Sequence, residues 1–284
     1  MLYVSGRIDG HRVGELRAAD GVTIHYREWR RDSPKATVLY LHGQGDHSGP
    51  FTAMGDLFHD LGYSVYAHDH RGFGLSGEKR GHIYSYDLFL ADAAEMLSYA
   101  ARQNPGRPLF LVGLSMGGHL ALRLGSHLNG RVNGVVALSP GFKLRRLPSL
   151  ALVGRTVFWA LAQPERYIPE VPLDVVTTRN PAHAQCAAAD DRYVRSYTAR
   201  FYLEAVRSIN RAKRELRELQ APVLMLQAGD DQLVDPVGSR LFFDRIGSSD
   251  KSFRMLPGLQ HNLVVEPEMP SLVTAIDRWI AERV

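Results

Sequence analysis

The chain has 284 residues, 45% of them hydrophobic, and carries 34 basic against 30 acidic side chains for a formal net charge of +4. That length holds one large core, or one core plus a sizeable insertion, and the composition excludes disordered and fibrous classes. The mild basic excess comes without a Lys/Arg-rich run interleaved with aromatics, so nucleic acid is not an expected partner. No stretch reaches the roughly 18 uninterrupted apolar residues of a membrane span; the longest candidate, 147–162, is broken by Pro148, Ser149, Gly154 and Arg155. One cysteine, Cys186, cannot close an internal disulfide, and the N-terminal stretch lacks the apolar core of a signal peptide. A reducing, cytoplasmic location is expected.

Taken in order, residues 13–31 read as a hairpin around the turn pair Asp20–Gly21. Short apolar runs follow at 36–41, 63–67, 108–112, 132–138 and 222–226, mostly separated by segments of helical periodicity. Phe89, Ala93, Met96, Leu97 and Ala100 mark one such helix, and Val273, Ile276, Trp279 and Ile280 mark the last. Continuous apolar strands between helices imply an α/β fold, a parallel sheet covered on both faces. The alternation fails between about 140 and 218, where Pro148, Pro164, Pro169, Pro172 and Pro181 punctuate helical segments without a convincing strand. This reads as a helical cap over the C-terminal strand ends, dividing the chain into core 1–140, cap 141–218 and core 219–284. The cap holds 14 Lys/Arg against 8 Asp/Glu, so the basic excess is local. Its apolar Leu150, Leu152, Val153, Val157, Phe158, Trp159 and Leu161 beside Arg145, Arg146 and Arg155 suit a lid that lines an acyl tunnel or rests transiently on an anionic lipid surface. A lid helix simply packed on the core is the plainer alternative.

The chemistry centres on Gly113-Leu114-Ser115-Met116-Gly117, where a strand pattern ends and a helical one begins. A serine on so sharp a turn sits in a strained conformation that leaves no room for side chains at Gly113 and Gly117. Its hydroxyl needs a histidine to take its proton and a carboxylate to fix that histidine's tautomer. In the nucleophile-elbow template these follow late strands in the order acid, then histidine. His261, one of 12 histidines, lies in a Pro-Gly loop after the last strand pattern. Three acids are available after the strand at 222–226; Asp231 is favoured, with Asp230 forming the turn and Asp235 capping the helix that begins near Pro236. The backbone amides of Met116 and Gln44 are the expected oxyanion donors. His42 reads as shaping the Gln44 loop. His68-Asp69-His70 has metal-ligand residue types, but strand alternation turns successive side chains to opposite faces and no second ligand pair follows at zinc spacing, so no metal or other cofactor is expected.

Several motifs agree with one family: His42-Gly-Gln-Gly-Asp-His-Ser48, Asp69-His-Arg-Gly-Phe-Gly-Leu-Ser76, Gly113-Leu-Ser-Met-Gly117, Gly229-Asp-Asp-Gln-Leu-Val234 and the Pro-Gly loop ending at His261. From about residue 13 to the C-terminus the chain resembles an α/β-hydrolase of the monoacylglycerol lipase and lysophospholipase group, the serine aminopeptidase S33-like family. The resemblance implies a mostly parallel eight-stranded sheet with a helical cap inserted after the sixth strand. It also implies a serine esterase acting on single-chain lipid esters, working without metal or organic cofactor as a monomer or weak homodimer. Thr178-Arg179-Asn180-Pro181 looks like this family's cap, and Asp46 keeps its acidic position. Where members that grip glycerol often carry a basic residue this chain has Pro50, and where they carry a histidine three positions after the catalytic one it has Val264. Ser115 argues against the carboxylate nucleophile of dehalogenases and epoxide hydrolases. A short-chain carboxylesterase, a perhydrolase and a non-catalytic binding module remain alternatives on the same fold.

Overall fold

Strands that are apolar on both faces are stable only inside a covered sheet, and that requirement decides the architecture. The computed structural model describes residues 3–8, 10–168 and 176–284; Met1, Leu2, Pro169 and Pro172 lie outside these. Its centre is a nine-stranded sheet in the order β1 (Tyr3–Ile8), β2 (His11–Arg17), β3 (Thr23–Trp29), β5 (Ser64–His68), β4 (Thr37–Leu41), β6 (Leu109–Leu114), β7 (Gly134–Leu138), β10 (Val223–Ala228) and β11 (Lys251–Leu256). The pairs β1/β2, β2/β3 and β3/β5 are antiparallel, and every pair from β5 to β11 is parallel. The eight strands expected are those from β2 onward in this sheet. β1 adds a ninth at the edge, which the hairpin reading at 13–31 did not anticipate.

Alternation along the central strands feeds two apolar layers. Leu39, Leu41 and Leu111 enter one layer with buried residues of α2 (Asp87–Gln103), α3 (Met116–His127) and α6 (Ala199–Glu215). Val38, Tyr40 and Val112 enter the other with α1 (Thr52–Asp60) and α8 (Met269–Ala281). Each fully buried side chain of Leu or Phe size contributes about 1.5–3 kcal/mol by leaving water. The helix stripes expected from the sequence, such as Phe89, Ala93 and Met96, or Val273, Ile276 and Ile280, are buried in these layers.

The chain order creates the site. The connection leaving β4 runs to β5 on one side, whereas the connection leaving β6 runs to β7 on the other, so the topological switch point lies at the C-terminal ends of β4 and β6. Above it, between β7 and β10, lie α4 (Leu150–Ala162), β8 (Tyr167–Ile168), α5 (Pro181–Ala189), β9 (Tyr197–Thr198) and α6, with α7 (Pro236–Phe243) following β10. β8 and β9 pair over two residues each, too short to leave a strand pattern. The last turns of α6 also serve the core. Ala212 joins the layer against α3, and the buried Arg123 of α3 binds Glu215 through Nε at 2.5 Å and Nη2 at 2.9 Å.

Candidate active site

The turn from β6 into α3 is dictated by sterics. A Cβ at Gly113 would lie 2.2 Å from the Gly117 carbonyl oxygen, and one at Gly117 would lie 2.0 Å from that of Leu41. Between them Ser115 adopts φ 54° and ψ −115°, a conformation that costs a non-glycine residue of order 1–3 kcal/mol. Neighbours hold it there: the Ser115 amide donates to Leu138 O at 2.9 Å, and its carbonyl accepts from Gly141 N at 2.9 Å and His119 N at 3.0 Å. Ser115 stands at the N-cap of α3, whose residues from Met116 to Ser126 are all buried. The positive end of the helix dipole and its free amides therefore face the site.

The loops after β10 and β11 bring an acid to a histidine. Nδ1 of His261 donates to Oδ2 of Asp231 at 2.7 Å, with both residues buried. Oδ2 also accepts from Gln227 Nε2 at 3.1 Å, and Oδ1 accepts the amides of Leu233 at 2.9 Å and Val234 at 2.8 Å. These bonds leave the carboxylate one orientation. The other two acids lie elsewhere: Asp230 is exposed in the turn, and Asp235 caps α7 by accepting Val237 N at 3.0 Å while binding Lys143 Nζ at 2.8 Å. Asp231 is thus the acid that meets His261.

The Gln44 loop packs directly on the Ser115 turn. A Cβ at Gly43 would stand 3.4 Å from Ser115 Cβ. Among the described residues neither the Gln44 nor the Met116 amide donates to a backbone carbonyl. His42 braces this loop: Nδ1 donates to Gly43 O at 2.8 Å and Nε2 accepts the His70 amide at 2.9 Å. Those two bonds define a neutral tautomer, and burial pushes its pKa down to about 4. Asp69 acts structurally as well, accepting Ser48 N at 2.7 Å, Ser48 Oγ at 2.5 Å and Leu75 N at 2.8 Å. The His68 and His70 rings stand edge to face at 5.0 Å, and no group of three His, Cys, Asp or Glu residues among those described could hold a metal ion.

Three features of the surroundings were not foreseen. Burial pushes Asp46 up to about 7 against the opposing bonds from the His47 amide and the Tyr193 hydroxyl. Arg145, between β7 and α4, donates Nη1 to Asp231 O at 2.7 Å. Glu266, with a fully buried side chain, binds Arg179 at 2.8 Å. The contacts of Tyr193 with Asp46, Arg145 with Asp231 and Arg179 with Glu266 link positions far apart in the chain, so no local pattern could signal them. Of the two departures, Val264 is buried in the apolar layer that α1 and α8 share.

Comparison with known proteins accords with this geometry. The family model described as serine aminopeptidase, S33, matches residues 32–268. A monoacylglycerol lipase from Mycolicibacterium smegmatis is 29% identical over 262 residues, 92% of this chain and 93% of that protein. Phospholipase YtpA from Bacillus subtilis is 29% identical over 253 residues, covering 87% and 95% of the two chains. The crystal structure of Paleococcus ferrophilus monoacylglycerol lipase superposes with a TM-score of 0.81 at 25% identity, over 92% of this chain and 99% of that one. With the family match running from residue 32 to residue 268, the chain belongs to the serine aminopeptidase S33 family and is a hydrolase of the α/β-hydrolase fold.

Proposed function

We propose that this protein is a serine carboxylic-ester hydrolase acting on single-chain lipid esters of the monoacylglycerol or lysophospholipid type. The observation that carries the reading is the 2.7 Å pair of Asp231 and His261 on loops at the C-terminal ends of β10 and β11, the same end of the parallel sheet at which β6 runs into the strained Ser115 turn. The kind of ester is supported by the relatives named monoacylglycerol lipase and phospholipase.

Ser115 Oγ attacks the ester carbonyl carbon while Nε2 of His261, the nitrogen not engaged by Asp231, takes its proton. The carbonyl oxygen becomes an oxyanion facing the Gln44 and Met116 amides, each worth about 3–4 kcal/mol in comparable hydrolases. Collapse breaks the bond to the alcohol, which leaves with the proton from His261, and the acyl group stays on Ser115. Water then repeats the sequence, giving the free acid and restoring the serine. Asp231 keeps Nδ1 protonated throughout and stabilises the transient imidazolium.

Residues 141–218 form the cap in this reading. On α4, Leu152 and Trp159 pack inward around Ala160, Ile168 and Ala199, whereas Leu150, Val153, Val157, Phe158 and Leu161 are exposed. The outward stripe, with Arg145, Arg146 and Arg155 near it, suits transient contact with an anionic lipid surface from which substrate is drawn. No helix among the described residues is long and apolar enough to cross a membrane. Pro50 and Val264 offer no polar grip for glycerol, which favours tolerance of other alcohol groups, simple short-chain esters included.

Hydrolysis measured across acyl lengths and head groups tests the assignment. Long-chain monoacyl esters are expected to have the highest kcat/KM, with rates unchanged by excess EDTA. Activity confined to acetate esters would leave a general carboxylesterase, and loss of activity with EDTA would contradict the mechanism.

A further inference from the structure

The two residues that flank His261 are both held by backbone bonds, one directly from the cap segment and one through Glu266. The amide of Asn262 donates to Thr177 O at 2.7 Å, and the amide of Gln260 donates to Glu266 Oε2 at 3.3 Å. Glu266 in turn is saturated by cap groups: Oε1 accepts Thr178 Oγ1 at 2.7 Å and Arg179 N at 2.6 Å, and Oε2 accepts Arg179 Nε at 2.8 Å. Asn180 Nδ2 adds a bond to Val265 O at 3.0 Å, and Arg179 also pairs with Glu268. The Gln260 side chain, oriented by its surroundings, points its nitrogen at Val176 O, 3.2 Å away, and at Asp230 O, 2.8 Å away. That one amide ties cap, histidine loop and acid loop together.

A carboxylate without side-chain exposure is costly unless every oxygen is occupied, and here both are. Burial opposes its charge, but the bonds from Arg179, Thr178 and the two amides prevail and hold its pKa below the usual glutamate value. Ester cleavage itself gives this charge no task. Its bonds run to the residue preceding His261 and to the cap segment 177–180.

We propose that Glu266 is a positioning residue for His261, the group through which cap segment 177–180 fixes the geometry of the histidine loop. The inference rests on His261 being the general base. It makes the cap part of the proton-transfer machinery as well as a cover for substrate: when the clasp loosens, His261 drifts from the Ser115 proton, and displacement of about 1 Å costs about 10²-fold in rate.

Glu266→Gln keeps the volume but places an amide nitrogen among donors, whereas Thr178→Val removes a single bond to the carboxylate. Both are to be assayed, with melting temperature, on p-nitrophenyl acetate, whose acyl group is too short to use the cap, and on a long-chain ester. For acetate hydrolysis kcat is expected to fall about 10²-fold in Glu266→Gln and about 3–10-fold in Thr178→Val, with KM changed less than about threefold in each. A folded Glu266→Gln with wild-type kcat, or an effect confined to KM for the long-chain ester, would overturn the proposal. If Glu266→Gln does not fold, Thr178→Val decides, and an unchanged kcat there overturns it. His261→Ala separates the two ideas: if that variant stays active the general-base reading fails, whereas an inactive His261→Ala beside a wild-type-like Glu266→Gln sinks only the clasp.

Discussion

His261 Nδ1 lies 2.7 Å from Asp231 Oδ2, while the other oxygen of the same carboxylate is occupied by the amides of Leu233 and Val234. A side chain so fixed can hold the imidazole in one tautomer only. Asp231→Asn preserves the shape but presents an amide nitrogen or a neutral oxygen to Nδ1, so kcat should fall by about 10⁴ with the fold retained. Asp235 is occupied with capping α7 and binding Lys143. Asp235→Ala should cost about 1 kcal/mol of stability and leave turnover nearly intact. Steady-state kinetics and melting curves on both variants check this; a large kcat loss at 235 with little at 231 would reverse the assignment.

The outward face of α4 leads to a second expectation. Phe158 is 57% exposed and Leu161 70%, so neither contributes much to the packed core. Phe158→Ser and Leu161→Ser together should leave the melting temperature nearly unchanged. Removing two apolar contacts with lipid should nonetheless lower kcat/KM on long-chain esters presented in vesicles by at least about tenfold. Hydrolysis of p-nitrophenyl acetate should be unaffected. Equal losses on both substrates would indicate a lid helix without a lipid-facing role.

Buried histidines set a pH limit on stability. Burial holds His42 down to about 4, and His68 and His119 to about 3, each from 6.5. Below pH 6.5 the unfolded chain takes up protons that the folded chain refuses, so stability declines as pH falls from 6.5 toward 4. The slope is at most about 1.4 kcal/mol per pH unit for each group. Asp46, raised by burial to about 7, acts in the opposite sense and recovers stability as pH falls from 7 to 3.8. Glu28 and Asp92 are raised as well, but His25, His47, His70, His82 and His183 are lowered with the three histidines above, so the histidines prevail. Urea denaturation at pH 7.5, 6 and 5 should show the decline, and His68→Leu should flatten it by about one group's share; an identical slope in that variant would contradict this origin.

The elbow was legible because its constraint is local: Gly113 and Gly117 stand where any Cβ would strike backbone. The central strands were legible because burial on both faces leaves unbroken apolar runs, as in Leu39, Tyr40 and Leu41. Their boundaries shifted by a residue or two, since strand ends are set by the partner's register. The pairing of Asp231 with His261 was reached from chain order and loop position. Glu266 was not reached, because its partners Thr178 and Arg179 lie nearly ninety positions away and a saturated buried carboxylate leaves no periodicity in the sequence. Nor could residue types show that His42 binds a carbonyl and an amide at once, which is what makes it a brace.

The central claim is that Ser115 forms a covalent acyl intermediate, and the most direct measurement is labelling by a fluorophosphonate, with peptide mapping of the adduct and ester hydrolysis followed in parallel. The expected result is one label per chain on Ser115, loss of hydrolysis in step with labelling, and a Ser115→Ala variant that takes no label and has kcat reduced by roughly 10⁵ to 10⁶. Hydrolysis retained by Ser115→Ala, or a label mapped to another residue, would contradict it.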